Sequence, residues 1–198
     1  MNQSGSGVHR VKNLLAVATS LTAISSRATQ SAVEMAKDLT ARLTALGRAH
    51  DLVRPIAGSE GKDALLGDLI SVVLAPYDEV EAFSGRIRVS VPRMGVGENA
   101  ATSLALILHE LATNAVKYGA LANGSGTLDV SFTADEDDVV LLWTEQGGAA
   151  VSEPGEHRGF GTKLVVRLAA QLDGVCEQCW SGDGLILTLR MAKDRLTT

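Results

Sequence analysis

The chain has 198 residues, 45% of them hydrophobic, with 18 Lys and Arg against 23 Asp and Glu and a formal net charge of -5. That length accommodates a helical segment plus one α/β domain of ordinary size, and that composition excludes a disordered chain. The acidic balance argues against a general nucleic-acid surface, and no apolar run reaches the roughly 18 residues of a membrane span. With no charged-then-apolar leader before the first predicted helix, the expected location is cytoplasmic.

Residues 1–7 (MNQSGSG) lack apolar periodicity and read as a flexible lead-in or an appended scar. Val11, Leu14, Leu15, Ala18, Leu21 and Ile24 then recur at helical spacing, as do Met35, Leu39, Leu43, Leu46 and Val53. A polar break around Ser25 to Ser31 is short enough to fold the second helix back on the first, so 8–54 is expected to be a helical hairpin. Such a hairpin cannot bury both apolar stripes alone, and it is expected to pair with a second copy into a four-helix bundle, making a homodimer.

Residues 55–63 contain the linker-like stretch PIAGSEG and mark the expected domain boundary. Beyond it the pattern predicts a helix over Ala64 to Leu74, a strand over Arg86 to Val91 and a long helix over Glu98 to Tyr118. Strands follow at Thr127 to Thr133 and Val139 to Thr144, a helix at Thr162 to Leu172, and two last strands at Gly174 to Trp180 and Leu185 to Met191. Helices and strands are grouped rather than alternating, which predicts an α+β two-layer sandwich over 64–192, with 193–198 as a tail. Cys176 and Cys179 form a lone C-x-x-C without two further ligands in sequence, and they read as ordinary core or surface cysteines.

On the long helix, Leu104, Ile107, Leu108, Leu111 and Ala115 make an apolar stripe, and Glu110, Asn114 and Lys117 align on one polar face. Asn is a poor residue for a helix interior, so Asn114 is expected there for its side-chain oxygen, which suits Mg²⁺ or its hydration shell. A solvated surface face explains the same spacing. The glycines add context. Glu145 ends an apolar strand and is followed by Gln146, Gly147 and Gly148, so a carboxylate able to accept from an exocyclic amine such as adenine's stands where backbone can approach a ligand. Arg158-Gly159-Phe160-Gly161-Thr162-Lys163 opens a helix, where free N–H groups and basic neighbours suit phosphates.

His109-Glu110-Leu111-Ala112-Thr113-Asn114-Ala115, followed by Lys117-Tyr118-Gly119, resembles the N box of the HWE histidine kinases, and Trp143-Thr144-Glu145 resembles that family's W-x-E element. The three residues of the family's name stand here as His109, Trp143 and Glu145. His9-Arg10-Val11-Lys12-Asn13 with Ala49-His50-Asp51-Leu52 resembles its phosphoacceptor hairpin, so the likeness runs from about Val8 to the last strand.

The resemblance implies a dimerisation and phosphotransfer hairpin joined to an ATP-binding domain of the gyrase, Hsp90 and histidine kinase type. It implies that His9 is phosphorylated from ATP and that the phosphoryl group passes to an aspartate in the receiver domain of a response regulator. Asn114 would hold Mg²⁺, Glu110 lies in the same N box, Glu145 replaces the usual adenine-reading Asp, and Gly159 and Gly161 let a lid approach the phosphates. Lys117, Arg158 and Lys163 are added on charge and position. Arg10 stands where many histidine kinases have an acid, so the base that takes the imidazole proton is open. Arg10 could neutralise phosphate charge, and Asn13, a turn from His9, could orient a water for phosphatase activity. His109 and Trp143 fit contact with the nucleotide side or internal packing equally. No sensory domain precedes His9 and the segment from Gly148 to Gly159 is short, which fits a minimal core without its upstream sensor. A phosphotransfer protein with a degenerate ATP domain, or an ATP-hydrolysing machine using Glu110, are the competing readings.

Overall fold

A computed structural model of the chain describes residues 4–28, 31–53, 64–78, 85–147 and 160–197. The elements, in chain order, are α1 (Ser4–Ala28), α2 (Ala32–Val53), β1 (Ala64–Leu65), α3 (Leu66–Asp78), β2 (Ile87–Ser90), β3 (Gly95–Val96) and α4 (Glu98–Lys117). A 3₁₀ turn (Ala120–Ala122), β4 (Thr127–Ala134), β5 (Asp138–Gln146), α5 (Phe160–Gln171), β6 (Val175–Ser181), β7 (Gly184–Ala192) and α6 (Lys193–Thr197) follow.

The chain divides into two compact units, Met1–Thr44 and Ala45–Thr198. In the first, α1 and the start of α2 form the expected antiparallel pair, tied by Arg42 Nη1 donating to Ser25 Oγ at 2.9 Å with both residues buried. Ser31 Oγ accepts from the Glu34 backbone N–H at 3.1 Å and caps the start of α2. Helix α1 begins at Ser4, within the stretch expected as a lead-in. Ser and Gly have low helix propensity, but extending an existing helix fixes one residue per hydrogen bond and so tolerates them at its end.

The second unit begins inside α2, and the expected linker at 55–63 lies outside the described residues. The last turns of α2 group with the α/β unit, and His50 Nδ1 lies 4.0 Å from Glu98 Oε1 at the start of α4. The unit's sheet has five strands in the order β2-β4-β5-β7-β6, parallel between β2 and β4 and antiparallel elsewhere. A separate antiparallel pair joins β1 to β3.

Alternation decides which sheet face is covered. Leu128, Val130 and Phe132 of β4, Val139, Leu141 and Trp143 of β5, and Leu187, Leu189 and Met191 of β7 are buried, while Leu142 and Ile186 on the opposite face are exposed. Helices α3, α4 and α5 supply the other half of the core through Leu69, Ile70, Val73, Leu104, Ile107, Leu108, Leu164 and Val165. This is the expected two-layer α+β architecture.

Helix α4 is the central one, and it is buried nearly all round: Ser103, His109 and Glu110 are covered as well as its apolar stripe. Residues 193–197, expected as tail, form the short helix α6, which docks. Leu196 is buried, its carbonyl accepts from Gly97 N–H at 2.8 Å, and Lys193 N–H donates to Asp137 O at 2.8 Å. Burying one Leu fixes a segment whose sequence shows no helical period. Among the described residues no helix is long and apolar enough to cross a membrane.

Candidate active site

The site is built around the C-terminal half of α4. Its polar face carries Glu110, Asn114 and Lys117, and it is not the solvated stripe that spacing alone allows: Glu110 is buried, Asn114 half-buried, and only Lys117 is exposed. The cover comes from α5. A Cβ added to Gly161 in the first turn of α5 would sit 2.7 Å from Glu110 Oε2 and 3.7 Å from Asn114 Nδ2. The start of α5 therefore lies against the two N-box side chains, and glycine permits that approach. The first described turn of α5 is thus set beside an amide and a carboxylate, an arrangement that fits a nucleotide phosphate with its metal.

At the end of α4 the chain turns sharply, with Tyr118 and Gly119 N–H groups both donating to Asn114 O. That turn brings Gly119 against Glu145, which leads the end of β5. Alternation along β5 puts Trp143 and Glu145 on the buried side. Trp143 Nε1 donates to Glu145 Oε1 at 2.9 Å, and Ala120 N–H donates to Glu145 Oε2 at 2.9 Å. Glu145 is 4% exposed, and burial pushes its carboxyl above the usual range although both hydrogen bonds pull it down. Gly147 follows at φ +70°, a left-handed conformation that glycine adopts without strain, and its N–H donates to Asp183 O at 3.0 Å.

His109 and Trp143, ambiguous in sequence, have internal partners. Tyr77 Oη of α3 lies 2.7 Å from His109 Nδ1 and 3.0 Å from Thr113 Oγ1. Burial raises the Tyr77 hydroxyl's pKa, the Thr113 hydrogen bond opposes the rise, Glu110 adds to it and Arg48 opposes it. Trp143 is fully buried and holds Glu145. Tyr77 and Ala120 are absent from the sequence candidates, and Thr113 and Gly119 enter there only as members of the N-box stretch without a role; a backbone N–H such as Ala120's carries no local signal.

The remaining candidates do not all come into view. His9, Arg10 and Asn13 lie on α1, but their side chains are outside the described set, as are Gly148, Arg158 and Gly159 altogether. Lys163 is exposed on α5. Cys176 is half-buried, Cys179 is exposed, and they fall on opposite faces of β6, consistent with ordinary cysteines.

The sandwich has the fold of solved histidine kinase domains. The histidine kinase domain of the Erythrobacter litoralis EL346 blue-light activated histidine kinase superimposes with a TM-score of 0.63 at 16% identity, over 93% of this chain and 95% of that one. Acinetobacter baumannii histidine kinase AdeS does so with a TM-score of 0.53 at 14% identity, over 93% and 97%. In sequence, the HWE histidine kinase family model matches residues 8–93. Blue-light-activated histidine kinase 1 of Erythrobacter litoralis is 37% identical over 180 residues, which are 89% of this chain and 49% of that protein. The blue-light-activated histidine kinase of Brucella anthropi is 35% identical over 187 residues, 90% of this chain and 36% of that protein. The chain belongs to the HWE histidine kinase family, and it spans half or less of the length of these curated relatives.

Proposed function

We propose that this chain is the catalytic core of a histidine kinase that binds ATP with Mg²⁺, phosphorylates His9 and passes the phosphoryl group to an aspartate of a response regulator. The observation that carries the reading is the convergence of Glu110, Asn114 and the first turn of α5 at one end of α4, with Glu145 held at the other side of the Gly119 turn. Asn114 supplies the oxygen for Mg²⁺, which when bound neutralises phosphate charge. The first turn of α5, with Arg158, Gly159 and Lys163, cradles the phosphates, and Lys117 adds positive charge at the rim. Glu145 reads the amino group of adenine, beside the backbone of Gly147.

In the transfer, a neutral His9 imidazole nitrogen forms the new N–P bond, the bond from the γ-phosphorus to the bridging oxygen breaks, ADP leaves and the imidazole proton departs. Arg10 neutralises charge near the transferred group, and Asn13 orients water for a separate phosphatase activity, in which water attacks phosphorus and inorganic phosphate leaves. The active form is a homodimer through the hairpin, since two helices alone leave Leu15 and Val33 exposed. The relatives' names and greater length support a sensory input outside these 198 residues.

Incubation with γ-labelled ATP tests the reading. Acid-labile, base-stable label is expected on the parent chain and none on His9→Ala, with ATP affinity changed less than about twofold, because His9 lies outside the nucleotide domain. Label persisting on that variant removes His9 from the role.

A further inference from the structure

We propose that Trp143 is a positioning residue that sets base specificity: its indole N–H, together with the Ala120 N–H, fixes the Glu145 carboxylate as an acceptor at both oxygens. This rests on the reading of Glu145 as the base-facing group. The W-x-E spacing is what makes the device possible. Residues two apart on a strand share a face, so the indole of Trp143 and the carboxylate of Glu145 both point into the covered side of β5. Nε1 then reaches Oε1 at 2.9 Å, and the turn after α4 delivers the Ala120 N–H to Oε2 at the same distance.

A glutamate has one more rotatable bond than an aspartate, and an unheld carboxylate would sample several orientations. Here each oxygen is pinned by a different element, one by β5 itself and one by the 3₁₀ turn. Gly119 packs against one side: an added Cβ would overlap Glu145 Oε2 and lie 2.9 Å from its carboxyl carbon. The chemistry of the two holders is as informative as their positions. An indole N–H and a backbone N–H can only donate. Neither can accept, so neither tolerates a donor in place of a carboxylate oxygen. The lone pairs left over on the two oxygens are acceptors, which suits an amino group at the ligand edge and opposes a carbonyl. Phe or Leu at position 143 would fill the same space without holding the oxygen.

The experiment measures binding of non-hydrolysable ATP and GTP analogues to the 198-residue chain with Mg²⁺. Trp143→Phe keeps an aromatic ring and removes the donor. It is expected to weaken the ATP analogue about tenfold or more, the size of one hydrogen bond to a charged group, and the GTP analogue about twofold at most, so the ATP-to-GTP ratio falls at least about fivefold. Glu145→Gln is the second variant, and it does not depend on how Phe packs. Its amide must turn –NH₂ toward one of the two donors, so it too is expected to lose the ratio. Adding Trp143→Phe to Glu145→Gln removes one of those donors, and the double variant is expected to bind the ATP analogue more tightly than Glu145→Gln alone. A role in packing predicts no such rescue. If the parent discriminates between the analogues and Trp143→Phe keeps the parental ratio, the role of Trp143 is overturned; if Glu145→Gln keeps it, the reading of Glu145 as the base-facing group falls instead. A parent that binds neither analogue overturns the ATP-binding reading itself.

Discussion

Tyr77 of α3 and His109 of α4 meet through a hydrogen bond of 2.7 Å between the phenol oxygen and Nδ1, with the rings tilted at 55° and their centroids 6.1 Å apart. Tyr77 Oη also lies 3.0 Å from Thr113 Oγ1, so one phenol ties two positions a turn apart on α4. The His of the family's name thus fastens two helices of the second unit. Tyr77→Phe is expected to cost about 0.5–1.5 kcal/mol of stability in urea, and a double-mutant cycle with His109→Phe should give a coupling of about 0.5 kcal/mol or more. Additive effects would show that the two residues do not act together.

Asn114 sits beside the first turn of α5 on the half-buried part of the α4 face. Asn114→Ala should weaken nucleotide binding in the presence of Mg²⁺ by about tenfold or more while changing unfolding free energy by about 0.5 kcal/mol or less. Autophosphorylation at the parental rate would remove Asn114 from metal binding.

On the proposed reading Glu145 presents acceptors to the base, and guanine offers a carbonyl where adenine offers an amine. The mismatch is on the order of 1–3 kcal/mol, so ATP should be preferred over GTP by at least about tenfold in competition at fixed Mg²⁺. Glu145→Ala should weaken ATP and narrow the gap. It should also destabilise the fold by about 1–3 kcal/mol, since it leaves the buried Trp143 and Ala120 donors without their acceptor. Equal affinities of the parent for the two nucleotides would leave W-x-E a structural element only.

Burial raises the Glu145 carboxyl above its ordinary 4.5. The folded chain therefore holds this proton more tightly than the unfolded chain. The carboxyl's contribution to stability is complete below the unfolded pKa and is lost as pH rises through the folded one. Urea unfolding of the parent and Glu145→Gln between about pH 4 and pH 7 should show the parent losing stability relative to the variant as pH rises. A difference that stays flat or grows in the parent's favour would mean that the Trp143 and Ala120 donors outweigh desolvation.

Most of the architecture was legible because it rests on periodicity. The strands β4, β5 and β7 alternate cleanly, and helices α4 and α5 were found within about two residues at each end, the usual slack of such boundaries. The first helix of the second unit was placed from Ala64, yet Ala64–Leu65 pairs with Gly95–Val96 as a two-residue ladder, and the helix starts at Leu66. A pairing that short has no period to read. Helix α6 escaped for the same reason: its one buried contact, Leu196, is a tertiary event.

The same division holds at the site. The sequence by itself determined the inventory: Glu110, Asn114 and Lys117 share a helix face because 3.6 residues make a turn, and Trp143 and Glu145 share a strand face because two residues make a repeat. What it could not decide was whether those faces meet water or protein, since spacing is identical in both cases. Tertiary structure decided that by laying Gly161 over Glu110, by setting Gly119 against Glu145, and by bringing Ala120 to Glu145 across a separation of 25 residues in sequence. Contacts of that range depend on how the layers pack, and a backbone N–H that completes a site is the same atom in every residue but proline.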